Sequence, residues 1–138
     1  MIKALVIGCG NIGAGYDLSD SQVLTHAKAF SLNKEISFCV SDTDEEKAKA
    51  IGKVYGVPYF VHLSDDDLSQ FNMVSLCVST QYHFEYLERL AKLKIPFVLC
   101  EKPVVNNLSQ LKMQKLVKKL KMLQKVCGAR QCIKWGSI

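Results

Sequence analysis

Apolar positions follow two alternating spacings along this chain. Stretches that are apolar at nearly every position read as strands buried on both faces. These run from Ile2 to Ile7, Glu35 to Val40, Met73 to Val78 and Ile95 to Cys100. Between them, apolar residues recur every three or four positions, the spacing of a helix with one buried face. Val23, Ala27 and Phe30 predict a helix from about Gln22 to Leu32, and Phe84, Leu87, Leu90 and Ala91 predict one from Tyr82 to Leu93. Another opens at Asp44-Glu45-Glu46, acid at its positive end, runs to about Tyr55 and stops at Gly56. Val57 to Val61 reads as a short strand whose Pro58 predicts an early or edge position, and Ser64 to Ser69 as a short capped helical turn. A last helix is predicted from Leu108 to Val126, with Met113, Leu116, Val117, Leu120 and Leu123 on one stripe. Strands alternating with helices predict an α/β fold built on a doubly wound parallel sheet, whose ligands bind at the carboxyl ends of the strands.

Composition changes this picture little; charge changes it at one end. A chain of 138 residues, 49% apolar and 22% charged, is long enough for one domain with a real core. The net charge of +5 is uneven: acids outnumber bases up to Glu101, and from Lys102 onward there are bases and no acid. The lysines of the last helix fit a solvated face opposite its apolar stripe, the preferred reading. A membrane surface, a nucleic acid or an acidic partner is the alternative. No apolar run approaches the roughly 18 residues a spanning helix needs, and no secretory leader is visible. The six cysteines form no Cys-x-x-Cys pair, so free thiols in a reducing, cytoplasmic setting are expected, with no metal site.

The strand ends hold the candidate chemistry. The first strand runs into Gly8-Cys9-Gly10-Asn11-Ile12-Gly13, a Gly-x-Gly-x-x-Gly turn. There Gly8 makes the tight turn, Gly10 lets a pyrophosphate approach the backbone, and Gly13 lets the next helix pack close. The N-terminus of that helix is expected to offer its amides to the phosphates. The second strand ends at Asp42, where a carboxylate can accept both adenosine-ribose hydroxyls and repels a 2′-phosphate, favouring NAD over NADP. Asp42 lies further from the glycines than the usual spacing, which fits an enlarged loop around Tyr16 to Thr25; its other reading is the start of an Asp-x-Asp helix cap. The fourth strand ends at Ser79-Thr80, hydroxyls suited to a ribose or phosphate. His83 comes next beside the cleft as a proton-transfer candidate, against a satisfied core histidine. His26 and His62 take the structural reading, His26 as a helix-start residue near the phosphate loop. After the fifth strand, Lys102 can orient a substrate hydroxyl and help move its proton, or else is a solvated lysine before Pro103.

These pieces, in this order, resemble the N-terminal domain of the Gfo/Idh/MocA oxidoreductases, the family of glucose-fructose oxidoreductase and inositol dehydrogenase. The match rests on the glycine turn, His26-Ala27-Lys28-Ala29-Phe30, Val40-Ser41-Asp42-Thr43-Asp44, Tyr55-Gly56-Val57-Pro58, Val78-Ser79-Thr80 with His83, and Cys100-Glu101-Lys102-Pro103-Val104. The resemblance implies a Rossmann domain and NAD(P)-linked oxidation or reduction of a hydroxyl or carbonyl on a sugar, cyclitol or similar small molecule. It implies a cofactor site at Gly8, Gly10, Asn11, Ile12, Gly13, Asp42, Ser79, Thr80 and Glu101, with Lys102 and His83 as the catalytic candidates. Residues 1–125 are expected to form the cofactor domain and 126–138 an atypical tail, with an edge strand open to Cys132–Trp135. Members of the family carry a second, substrate-binding domain, which this sequence lacks, so the chain is expected to be incomplete for catalysis. The alternative is a stand-alone dinucleotide-binding or interaction protein that turns nothing over. No membrane or nucleic-acid partner is expected, and an oligomer stays open.

Overall fold

The computed structural model describes residues 1–19 and 21–101, and the backbone course of 122–127 and 130–135. The first strand, β1 (Ile2–Ile7), lies inside the sheet, and its alternate side chains enter two different cores. Leu5 and Ile7 pack in one core, Ala4 and Val6 in the other, all 2% exposed or less. That two-sided burial is why the strand is apolar without alternation. Parallel to it run β2 (Ile36–Ser41) on one side and β4 (Met73–Leu76) on the other. Beyond these lie β3 (Tyr59–Phe60) against β2 and β5 (Phe97–Cys100) against β4, also parallel. The short β3, with Pro58 before it, pairs only with β2 and closes that edge of the sheet.

The helices divide between the two faces. The core holding Ala4 and Val6 takes Ala27 and Phe30 from α1 (His26–Ser31) and Ile51 from α2 (Glu45–Tyr55). The core holding Leu5 and Ile7 takes Leu68 from α3 (Asp65–Ser69) and Leu87 and Leu90 from α4 (His83–Lys92). The sheet is therefore wound on both sides, as the alternation of spacings predicts. Local signals end each helix where they stand. The Asp44 side chain caps α2 by accepting from the Lys47 amide, and Gly56 ends it at φ +64°, a left-handed position. A capping box starts α3: Ser64 Oγ accepts from the Asp67 amide, and the Asp67 carboxylate accepts from the Ser64 amide at 2.9 Å. Those Ser64 bonds hold the Asp67 carboxyl below its ordinary range. Ser64→Ala is expected to cost about 1 kcal/mol, read as a lower urea midpoint at unchanged slope.

Two expectations change. The helix predicted from Gln22 begins only at His26, behind a Thr25 cap. The glycine motif runs instead into a single π turn, Asn11–Gly15, in which Gly15 and Tyr16 amides reach back to the Gly10 and Asn11 carbonyls. At the other end, the predicted helix Leu108–Val126 conflicts with strand β6 (Met122–Cys127); its part over 108–121 lies outside the described residues. Strand β7 (Arg130–Trp135) runs antiparallel to β5, and β6 antiparallel to β7, giving a seven-stranded sheet ordered β3-β2-β1-β4-β5-β7-β6. The stretch Cys132–Trp135 is thus in a strand, but β6 forms the edge and runs across the expected boundary between 125 and 126. Tertiary pairing with β7 outweighs the helical period there.

Candidate functional site

The carboxyl ends of β1, β2 and β4 surround a cleft of about 510 Å³. Gly8, Gly10, Asp42 and Ser79 line it, four of the residues the sequence picks out. The loop that forms its floor is held by the neighbouring strands. The Gly8 amide donates to the Ser41 carbonyl at 2.8 Å, and the Cys9 amide donates to Asp42 Oδ2 at 2.8 Å. The other carboxylate oxygen, Oδ1, accepts from the Asp44 amide at 2.8 Å. Asp42 therefore bridges the glycine loop and the start of α2, while Asp44 supplies the cap.

The three glycines of the motif meet different surroundings. Gly8 sits at φ +100°, and a Cβ there would lie 2.8 Å from the Cys77 carbonyl carbon. A Cβ on Gly13 would lie 1.9 Å from the Gly8 carbonyl oxygen. The chain's own packing demands both. Gly10 differs: its φ of −74° suits any residue, and a Cβ there meets nothing within 4 Å. The packing of the chain gives no reason for a glycine at that position, which faces open space in the floor of the cleft. The first hydrogen bond of the π turn joins the Ala14 amide to the Gly10 carbonyl at 3.0 Å, so the turn itself leaves the amides of Asn11, Ile12 and Gly13 over. Close backbone approach and a run of unspent amides are what a phosphate group requires. The residues present thus fit a dinucleotide.

The family model for the oxidoreductase family with NAD-binding Rossmann fold matches residues 2–130. The chain belongs to the Gfo/Idh/MocA family. Among solved structures, a myo-inositol dehydrogenase from Sinorhizobium meliloti, itself described as putative, is 25% identical with a TM-score of 0.67, over 88% of this chain and 34% of that one. The WlbA dehydrogenase from Chromobacterium violaceum, solved with NADH and UDP-GlcNAcA, is 24% identical with a TM-score of 0.68, over 87% and 33%. A probable dehydrogenase from Thermotoga maritima gives 24% and 0.68, over 87% and 33%. The chain spans about a third of the length of these solved structures. No curated protein matches it.

The remaining candidates of this family member scatter. Asn11 lines a second, shallower hollow with Gly10 and Leu18, Ile12 is 40% exposed, and Thr80 opens a short 3-10 turn ahead of α4. Glu101 turns its carboxylate to His26, with Oε1 2.6 Å from Nε2. Lys102 lies outside the described residues. His83 departs from its cleft assignment: it is 1% exposed, with Nε2 2.8 Å from the Val78 carbonyl and Nδ1 3.5 Å from the Cys100 thiol. It satisfies a carbonyl beyond the end of β4 and packs inside, the core-histidine reading. Two buried thiols are quiet as well. Burial first, then the Asp42 and Cys77 charges, push Cys9 up to about 12; burial, Cys77 and Glu101 push Cys100 up to about 12. Among the described residues, Cys9, Cys39, Cys77 and Cys100 form no disulfide. Among the described residues no His, Cys, Asp or Glu cluster is able to hold a metal, and no helix is long and apolar enough to cross a membrane.

Sequence reasoning missed the cleft's far wall. Tyr82, Glu85, Tyr86 and Arg89 line it from α4 and the turn before it. Their spacing of three and four is one helical stripe, polar and aromatic, beside the buried stripe of Leu87, Leu90 and Ala91. Arg89 also ties α4 to α3, with Nη2 2.8 Å from Asp65 Oδ1 and 2.9 Å from the Leu63 carbonyl. That second stripe is visible in the sequence and carries the signal.

Proposed function

We propose that the chain binds NAD(H) across the carboxyl edge of its sheet, as the cofactor domain of an oxidoreductase acting on a hydroxyl or carbonyl of a sugar, cyclitol or similar small molecule. The observation that carries this reading is Gly10, a motif glycine that the fold does not need and that opens onto the cleft. In this reading Gly8 and Gly13 shape the loop, and the Asn11, Ile12 and Gly13 amides meet the diphosphate. Ser79 and Thr80 stand near the middle of the cofactor. Asp42 accepts the adenosine-ribose hydroxyls, which makes NAD the preferred form over NADP. When bound, the nicotinamide supplies the hydride acceptor or donor. Lys102, next in the chain after Glu101, orients the substrate hydroxyl and relays its proton. The inositol and nucleotide-sugar dehydrogenases among the similar structures support the substrate class. A cytoplasmic setting follows from the same reading and from the free thiols.

NADH titrated into the 138-residue chain is expected to show saturable fluorescence enhancement and to bind more tightly than NADPH. Asp42→Ala removes hydrogen bonds to a charged acceptor worth about 1.5–3 kcal/mol. NADH binding is therefore expected to weaken by about ten-fold or more, with the preference over NADPH reduced. Tighter NADPH binding by the unaltered chain overturns the NAD assignment, and no binding of either overturns the function.

A further inference from the structure

Three polar side chains meet inside the fold at the end of β5. Ser75, in the middle of β4, is fully buried; His26, the first residue of α1, is 2% exposed; Glu101, just past β5, has a side chain 15% exposed. Ser75 Oγ is hydrogen-bonded to His26 Nδ1, and His26 Nε2 lies 2.6 Å from Glu101 Oε1. The Glu101 amide continues the β4–β5 ladder by donating to the Leu76 carbonyl at 3.1 Å. The order serine, histidine, acid is that of a hydrolase relay. Here the serine is sealed inside the sheet, so no substrate carbonyl reaches its hydroxyl, and nucleophilic chemistry is excluded. The acceptors assign the proton of a neutral ring to Nε2, which donates to the carboxylate, while Nδ1 accepts from the Ser75 hydroxyl. A buried polar chain of this kind contributes no more stability than a well-packed apolar one. What it does provide is a single orientation for the Glu101 carboxylate.

That carboxylate stands on the edge of the sheet that holds Asp42. The strand order β2-β1-β4-β5 places the ends of β2 and β5 three strand spacings apart, about 14 Å at the usual 4.8 Å per strand. A dinucleotide whose adenosine ribose sits at Asp42 and whose diphosphate crosses the end of β1 brings its second ribose toward β5. We propose that His26 is a positioning residue: through Glu101 it fixes the end of β5 that meets the nicotinamide-ribose half of the cofactor. The helix that carries His26 is itself pinned, since Thr25 caps it and Asp17 holds Thr25 with bonds of 2.7 and 2.8 Å. The enlarged loop after the glycines thereby bears on the end of β5. This inference rests on the dinucleotide reading above.

The test uses the full chain and two ligands, NADH and ADP, which share the adenosine diphosphate but not the second ribose and nicotinamide. Calorimetry is run on the unaltered protein, His26→Gln and Glu101→Gln, each melted to show that it is folded. Both variants are expected to bind ADP within about two-fold of the unaltered chain and NADH about ten-fold more weakly. A loss shared equally by both ligands, or no loss of either in folded variants, overturns the positioning role and leaves the dinucleotide site standing. If His26→Gln does not fold, His26→Asn takes its place, since Glu101→Gln alone also alters a residue expected to meet the cofactor. An unaltered chain that binds neither ligand overturns the dinucleotide reading, and this inference with it.

Discussion

Gly13→Ala is expected to leave no folded domain, while Gly10→Ala melts like the unaltered chain and binds NADH far more weakly. At Gly13 the new methyl would lie 1.9 Å from the Gly8 carbonyl oxygen and 3.1 Å from its carbon, both backbone atoms. Nothing flexible can move aside. Relief requires pulling the π turn away from the end of β1, where the Gly8 amide bonds Ser41 and the Cys9 amide bonds Asp42. Forced overpacking of a rigid site costs about 1–3 kcal/mol or more, and breaking the loop's bonds adds about 1 kcal/mol each. The sum is comparable with the lower end of a domain's stability of about 5–15 kcal/mol. Gly10 supplies the control. Its backbone is ordinary and the methyl enters empty space, so the melting temperature is expected to stay within about 2 °C, the scale of a few tenths of a kcal/mol. That empty space is where the diphosphate approaches, so NADH affinity is expected to fall about 100-fold, or ~2.7 kcal/mol. Circular dichroism melts and NADH titrations of both variants read the contrast directly. A Gly10→Ala chain that binds NADH normally removes the ligand-based explanation for that glycine.

The strand and helix pattern is legible in the sequence wherever local chemistry and packing agree. The runs at Ile2–Ile7 and Ile36–Ser41 are apolar because both faces are covered. Helix α2 has its Asp44 cap, acidic first turn and Gly56 stop all in the local sequence. The glycine turn and Asp42 are legible for the same reason, each tied to a strand end. What escapes depends on partners far away in the chain. The bond from His26 to Glu101 spans 75 residues and that from Ser75 to His26 spans 49; no spacing rule reveals either. Helix α1 starts later than the helical period of Val23 suggests, for Val23 is 47% exposed and Leu24 42%. Their apolar character is not spent on the core. Residues 122–126 read as the end of a helix and become strand because β7 offers them a ladder.

Asp17→Ala is expected to be the most damaging change outside the glycine loop, and the damage should depend on pH. Asp17 has no exposed surface, and it anchors the loop that separates the glycines from α1. Its Oδ2 accepts from the Leu24 amide at 2.7 Å and the Thr25 amide at 2.8 Å, and its Oδ1 from the Thr25 hydroxyl at 2.7 Å. Lys28 Nζ donates to its backbone carbonyl at 2.9 Å. Burial alone raises the pKa of this carboxyl; the Thr25 hydroxyl, the two amides and the Lys28 charge outweigh it and hold the group below 3.8. Removing one partner of a buried charged network costs about 3–5 kcal/mol, and three donors lose this acceptor here. A drop in melting temperature of about 10 °C follows for a domain of this size. Because the folded pKa is lowered, the unfolded chain takes up the proton first. The stabilisation is therefore complete above 3.8 and disappears as pH falls through the folded value. Urea unfolding of the unaltered chain and Asp17→Ala should differ most at pH 7 and converge in acid. Asp17→Asn should lie between the unaltered chain and Asp17→Ala, since its remaining oxygen can still accept from the two amides while its nitrogen cannot accept from the Thr25 hydroxyl. A gap between unaltered and variant chains that stays constant to the acid end contradicts an ionised Asp17.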